Sequence, residues 1–168
     1  MGMTAKRMVL AAAVGLTMTT VASAEEQPRL VAAYVRSLAQ SCGPVASGAA
    51  APDIVERVDL DGDGKAEWVI DAGRYPCANR PTRAVPTGAQ LTVFALGSSG
   101  EAVPVFQAAA FGALVRRAPS GPGSLIMTLG GGDCGDVDAS ARCERRLVWN
   151  GAEKRFHLAP VTQAKPKS

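Results

Sequence analysis

The sequence predicts a small, mainly β domain that opens with one helix packed on an antiparallel β-sheet or small sandwich. One stretch near the start has apolar residues at helical spacing. About eight short apolar runs follow it, separated by turn-forming clusters, which is the pattern of consecutive strands. The four cysteines are an even number, and in an exported chain they predict two disulfides that hold the domain together.

The first 24 residues have the three zones of a cleavable signal peptide. Lys6 and Arg7 supply positive charge, residues 8–21 form an apolar run, and the Ala-Ser-Ala at 22–24 is typical of a cleavage site. A membrane anchor is the alternative interpretation, but a spanning helix needs roughly 20 apolar residues and this run is shorter. We therefore expect a periplasmic or secreted protein.

Removal of residues 1–24 leaves 144 of the 168, a length that suits one domain. We expect a single β-rich domain over residues 25–160 and a flexible polar tail over 161–168. The formal net charge falls from +3 to +1, because two basic residues leave with the signal peptide. The mature chain is therefore nearly neutral.

A nucleic-acid partner is not expected, because binding would need a clustered basic face. The mature chain has two adjacent arginine pairs, Arg116-Arg117 and Arg145-Arg146, and both are interpreted as solvated strand edges. After the signal peptide no segment is long and apolar enough to predict a membrane span. A partner protein in the same compartment is the remaining expectation, and the oligomeric state is left open.

The helix is predicted between Pro28, which suits a first turn, and Gly43-Pro44, which ends it. Four residues recur at intervals of four and so share one face, with Val31 and Val35 beside them. These four are Leu30, Tyr34, Leu38 and Cys42. The pattern predicts that this face packs on the sheet.

The four cysteines allow three disulfide connectivities. We favour Cys42–Cys77, because Cys42 lies on the buried face of the helix, and Cys134–Cys143, which closes a short loop. Zinc binding and redox chemistry are the alternatives, but the sequence has no C-x-x-C motif and only one histidine, His157.

The β part is predicted from alternating or short apolar runs bounded by turn residues. The predicted strands are 54–59, 67–71, 90–96, 102–106, 113–117, 124–129, 145–149 and 154–158. Pro104 cannot donate a ladder hydrogen bond, so its strand is predicted to lie at a sheet edge.

The last hairpin has two possible registers. A two-residue Asn150-Gly151 turn would pair Trp149 with Ala152, whereas a four-residue loop over 150–153 pairs Leu147 with Phe156. The second register gathers the apolar residues on one face and is preferred. It also predicts that His157 lies opposite Arg146.

The clearest candidate for a functional site is an acid-rich segment between the first two predicted strands. Asp59, Asp61 and Asp63 alternate, Gly64 allows a sharp turn, and Glu67 adds a fourth carboxylate. Calcium takes about six to eight hard oxygen ligands, and carboxylates spaced by two around a turn can converge on one ion. A plain Asp-Gly turn is the alternative. Four acids gathered without a cation would repel one another, which favours a calcium site.

An EF-hand does not fit this segment. With Asp59 as the first loop position, the twelfth is Ile70 instead of glutamate. A predicted strand also follows where the second helix of an EF-hand would begin.

The spacing D-x-D-x-D-G-x-x-E between two β segments resembles the calcium loops of FG-GAP/VCBS-type repeats. The resemblance covers residues 54–72 and implies a structural Ca²⁺ held by four side chains and one backbone carbonyl. The implied ligands are Asp59, Asp61, Asp63, Glu67 and the carbonyl of Lys65. A β-propeller needs about four or more blades, and the chain has one copy, so a propeller is not expected.

No catalytic constellation is recognised. The sequence has no G-x-S-x-G motif, and one histidine leaves few ways to form a triad. Asp133, Asp136 and Asp138 lack the spacing of the first acidic segment and are interpreted as an exposed disulfide loop.

The resulting functional expectation is an exported, non-enzymatic calcium-binding β module that acts as a binding or accessory protein. One alternative is a periplasmic inhibitor or partner of a secreted hydrolase, which would present loop 73–88 or loop 133–143. Another is an enzyme that uses a pair of carboxylates, such as Asp133 and Glu144.

Overall fold

The computed structural model describes residues 27–42, 53–77, 88–135, 138 and 140–161. The predicted signal peptide and nearly all of the predicted tail lie outside these residues, as do parts of loops 73–88 and 133–143. The regular elements are α1 (Arg29–Cys42), β1 (Val55–Val58), β2 (Glu67–Asp71), β3 (Ala89–Leu96), β4 (Ala102–Ala110), β5 (Gly112–Arg116), β6 (Ser124–Gly130), β7 (Arg142–Asn150) and β8 (Arg155–Leu158).

The strands form two antiparallel four-stranded sheets, ordered β1-β2-β3-β4 and β5-β6-β7-β8. Every strand pairs with its neighbour in the sequence. The chain passes from the first sheet to the second at Phe111, whose backbone N–H donates to the carbonyl of Thr128 over 2.8 Å. The predicted fold class, one helix with about eight antiparallel strands and two disulfides, is confirmed.

The first sheet is covered on both faces. Its inner face packs on the second sheet in a core that includes Val69, Leu91, Leu125 and Met127. Its outer face packs on α1 in a second core. Four consecutive residues of β2, 67–70, are therefore buried. The second sheet buries only one face, as the strict alternation of burial along β6 shows.

The helix docks through Val31, which is fully buried, and through Tyr34. The Tyr34 ring meets Phe94 edge-on at 5.6 Å between centroids, and the Thr92 hydroxyl donates to the Tyr34 hydroxyl over 3.0 Å. Leu30, expected on the buried face, is 46% exposed. An α-helix has about 3.6 residues per turn, so residues spaced exactly four apart move gradually around its circumference. The buried face of α1 is therefore centred on Val31 and does not include Leu30.

Both favoured disulfides are present. Cys42–Cys77 ties the end of α1 to the segment after β2, and Cys134–Cys143 closes a short loop before β7. The described helix is neither long enough nor apolar enough to span a membrane.

Pro104 lies on β4, which is an edge strand of the first sheet, as predicted. The register between β3 and β4 shifts at this point, so that Val93 faces Phe106 while Phe94 faces Pro104. Edge strands and β-bulges are the places in a sheet where proline, which has no N–H to donate, is tolerated.

The register predicted for the last hairpin is wrong by two residues. Leu147 pairs with Leu158 instead of Phe156, and Trp149 pairs with Phe156. The shift keeps all four side chains on the same face and brings the Trp149 and Phe156 rings to 4.7 Å between centroids. Contact between the two largest side chains favours this register.

The turn of this hairpin spans residues 151–154. The Asn150 side-chain oxygen accepts from the backbone N–H groups of Ala152 and Glu153, over 3.1 and 3.3 Å, and so closes the turn. His157 lies opposite Val148, not opposite Arg146 as expected. Its Nε2 is 2.8 Å from a carboxylate oxygen of Glu153, on the exposed surface.

Arg145 is not a solvated strand edge. Its guanidinium donates to the backbone carbonyls of Ala159 and Asp133, over 2.8 and 2.7 Å, and thereby joins the segment after β8 to the disulfide loop. The interpretation of Arg146 and Arg116 as solvated is confirmed, since both side chains are exposed.

Candidate metal centre

The segment that joins β1 to β2, residues 59–66, is called the acid loop. One carboxylate oxygen from each of Asp59, Asp61 and Glu67 lies within 4.8 Å of the others. In the described part of the chain this is the one group of three or more His, Cys, Asp or Glu side chains that meets this distance. Three of the four acids predicted as ligands are therefore brought together.

Asp63 does not belong to this group. Its side-chain oxygen accepts from the backbone N–H of Lys65 over 2.7 Å, within the loop itself. Its negative charge nevertheless raises the pKa of both Asp61 and Glu67. The roles of Asp63 and of the Lys65 carbonyl as ligands stay predictions.

Glu67 is the buried member of the group. It begins β2, its residue is 3% exposed, and one carboxylate oxygen accepts from the backbone N–H of Leu60 over 2.6 Å. Burial, together with the negative charges of Asp61 and Asp59, raises the pKa of Glu67 to about 7, although the hydrogen bond from Leu60 acts to lower it. A negative charge here is costly unless a cation accompanies it.

The acid loop folds around the carboxylate of Asp59. One oxygen accepts from the backbone N–H of Gly62 over 2.7 Å, and the other from that of Gly64 over 3.0 Å. Both glycines have φ near +85°, a region that residues with a side chain rarely adopt. The backbone path of the acid loop therefore explains both Gly62 and Gly64.

Asp61, like Asp59, is partly exposed, whereas Glu67 is buried. Burial raises the pKa of its carboxyl group, as does repulsion from Asp63 and Asp59, while the backbone N–H of Asp63, 3.0 Å away, opposes the rise. Two of the three converging carboxylates thus hold their protons more tightly than usual. Burial is the largest cause for both groups, and the neighbouring negative charges add to it.

Leu60 anchors the acid loop to the domain. Its side chain belongs to the core between the two sheets, although it stands between two acids. Its backbone N–H binds Glu67 at the same time. The converging carboxylates are therefore held on the rigid body of the domain at both ends of the loop.

The donor set suits a hard divalent cation. All three converging groups offer hard carboxylate oxygens, and no nitrogen or sulfur donor takes part in this group. A divalent cation would offset the two effects that raise the pKa of Glu67, which are its burial and its repulsion by the neighbouring acids. The side chains that would hold it are Asp59, Asp61 and Glu67.

Sequence reasoning missed one neighbour of this centre. The loop between β5 and β6, residues 117–123, lies against the acid loop, and the Gly123 backbone N–H donates to the carbonyl of Asp59 over 2.6 Å. A glycine-rich and proline-rich turn carries no signal that indicates what it will contact.

The second acidic segment has a different role. The Asp138 carboxylate accepts from the backbone N–H and from the hydroxyl of Ser140, both over 2.8 Å, which lowers its pKa. These bonds form a turn inside the Cys134–Cys143 loop. Asp136 lies outside the described residues.

No family model matches this chain, and neither a curated protein nor a solved structure matches it. The resemblance of residues 54–72 to FG-GAP/VCBS calcium loops stays a prediction drawn from the residues themselves.

Proposed function

We propose that the protein is an exported, non-enzymatic calcium-binding β module in which the ion acts as a structural clamp. The observation that carries the proposal is the convergence of Asp59, Asp61 and the buried Glu67 within 4.8 Å. Extracellular calcium modules bind at about 10⁻⁴ to 10⁻³ M, which suits a compartment that supplies calcium.

The clamp would act between β1 and β2. Asp59 follows the last residue of β1 and Glu67 is the first residue of β2, so an ion held by both would join the two strand ends. Asp61 would close the outer side, and Asp63 and the Lys65 carbonyl would complete the ligand set. The same carboxylates are then occupied by the metal, so we assign them to binding and not to acid–base catalysis.

Export is proposed from two features. The first is the signal-peptide pattern of residues 1–24. The second is the pair of disulfides, which persist in oxidising compartments. In that setting the module would act as a binding or accessory protein for another periplasmic or extracellular protein.

Calcium is expected to raise the melting temperature of the protein by roughly 3 to 10 °C at 10 mM. A ligand that binds only the folded state stabilises it, and at the affinity given above 10 mM calcium would add about 1 to 3 kcal/mol to the free energy of unfolding. The measurement is a thermal melt by circular dichroism, with calcium, with magnesium and with chelator. Magnesium should give a smaller shift, because it demands a tighter octahedral site.

Asp61→Asn should abolish the calcium shift, since it removes one charge from the converging group and keeps the side-chain shape. Asp133→Asn is the matched control, because Asp133 is an exposed aspartate near the other disulfide. A calcium shift that persists undiminished in Asp61→Asn, or is absent from the unmodified protein, contradicts the proposal.

A further inference from the structure

The loop between β5 and β6, here the hairpin loop (residues 117–123), joins the second sheet to the acid loop of the first. The Gly123 backbone N–H donates to the Asp59 carbonyl over 2.6 Å. Two side-chain carbons of Pro122 lie 3.7 Å from the place where a side chain on Gly62 would begin. The two loops are distant in sequence but adjacent in the fold.

Gly123 is buried, and the space around it admits no side chain. A Cβ atom at this position would overlap the Cγ2 atom of Val58 and would lie 2.7 Å from the Arg116 carbonyl oxygen. Its φ is not in the left-handed region, so glycine is needed here for space and not for conformation. Val58 directly precedes Asp59, which places this close approach at the start of the acid loop.

A second contact between the hairpin loop and the first sheet lies beside the hydrogen bond from Gly123. The Arg117 guanidinium donates to the Arg57 carbonyl over 3.3 Å and lies 3.8 Å from a carboxylate oxygen of Glu56. Arg117, Pro122 and Gly123 therefore contact β1 and the acid loop from the side of the second sheet. The acid loop is also held by Glu67, which accepts from the backbone N–H of Leu60.

We infer that Gly123 is a positioning residue of the candidate metal centre. It fixes the backbone of Asp59, whose carboxylate belongs to the converging group, so the hairpin loop keeps the acid loop in the shape that gathers the carboxylates. Loosening this contact lowers calcium affinity, and calcium binding in turn stiffens the hairpin loop. The contact needs no ion, but its effect on affinity rests on the proposed function.

The first test is calcium titration calorimetry on Gly123→Ala, which should bind calcium about 10-fold more weakly, as is usual when a group that orients a ligand is lost. Gly112→Ala is the matched control: it lies at the start of the same hairpin, has open space around it and has no left-handed φ. Equal affinities in the two variants overturn the inference. So does a loss of melting temperature in Gly123→Ala that is the same with calcium and with chelator, because that is a structural effect only.

The second test uses the unmodified protein, so it stands even if Gly123→Ala does not fold. Amide hydrogen exchange is measured with calcium and with chelator. Calcium should slow exchange at Gly123 together with Gly62 and Gly64, and Asp61→Asn should remove the effect at all three. Slowing at Gly62 and Gly64 without slowing at Gly123 overturns this inference but leaves the proposed function intact. No change at any of the three overturns both.

Discussion

Glu67→Gln is expected to stabilise the calcium-free protein at pH 8 by roughly 2 to 3 kcal/mol and to remove most of its response to calcium. The pKa of Glu67 is raised from 4.5 to about 7 by burial and by the neighbouring acids. Glutamine carries no charge, yet its side-chain carbonyl can still accept from Leu60. The estimate takes the free-energy equivalent of the pKa shift and discounts it for solvent at the outer side of the loop.

The pH dependence of this difference has a definite sign. A raised carboxyl pKa means that the folded state binds the proton more tightly than the unfolded state. Without calcium, the unmodified protein should therefore lose stability as pH rises from about 4.5 to about 7, with the loss complete above that range. Glu67→Gln should not show this loss, so the two proteins should be equally stable near pH 4 and differ most at pH 8.

Urea denaturation with chelator across this pH range measures the effect, with Glu101→Gln as the control. Glu101 is an exposed glutamate in the turn between β3 and β4. Without calcium at pH 8, Glu67→Gln should be the more stable protein. If it is less stable than the unmodified protein, the buried charge of Glu67 does not destabilise the fold. A full calcium response in that variant would remove Glu67 from the ligand set.

Replacing Cys42 and Cys77 by serine is expected to cost about 4 kcal/mol. The estimate is the loop-closure entropy for cysteines 35 positions apart, which the disulfide removes from the unfolded chain. The serine pair at Cys134 and Cys143, 9 positions apart, should cost about 2 to 3 kcal/mol by the same argument. Denaturant unfolding of the two double variants compares them directly.

The first pair should have a second, local effect. Cys42 ends α1, so its loss frees the C-terminal end of the helix from the first sheet. Proteolysis near residue 42 should accelerate in this double variant and not in the other. Equal unfolding free energies in the two variants, or faster cleavage near residue 42 in both, would contradict this account of the helix attachment.

The apolar pattern predicts which face of each strand is buried, but it does not determine a register that shifts by two. Leu147 and Trp149 face inward whether Leu147 pairs with Phe156 or with Leu158, because side chains alternate with a period of two. The choice between these registers lies in how the Trp149 and Phe156 rings pack and in how Asn150 closes the turn. Neither interaction can be predicted from the order of apolar residues in the sequence.

The candidate site also has one part that could be predicted from the sequence and one part that could not. The convergence of Asp59, Asp61 and Glu67 could be predicted because a local motif and one turn bring them together. The Gly123 contact could not, since it depends on how two sheets pack. Arg145 was interpreted as solvated for a similar reason: its acceptors are backbone carbonyls, which every residue carries and no sequence pattern distinguishes.

The pairing of every strand with its neighbour in the chain has a consequence for how the protein is made. The cysteines also pair in order of appearance, first with second and third with fourth. A chain that enters an oxidising compartment with its N-terminus first can therefore complete the first sheet and its disulfide before the second sheet has emerged. In such a compartment, oxidation of the cysteines in their order of arrival would yield the native bonds without disulfide reshuffling.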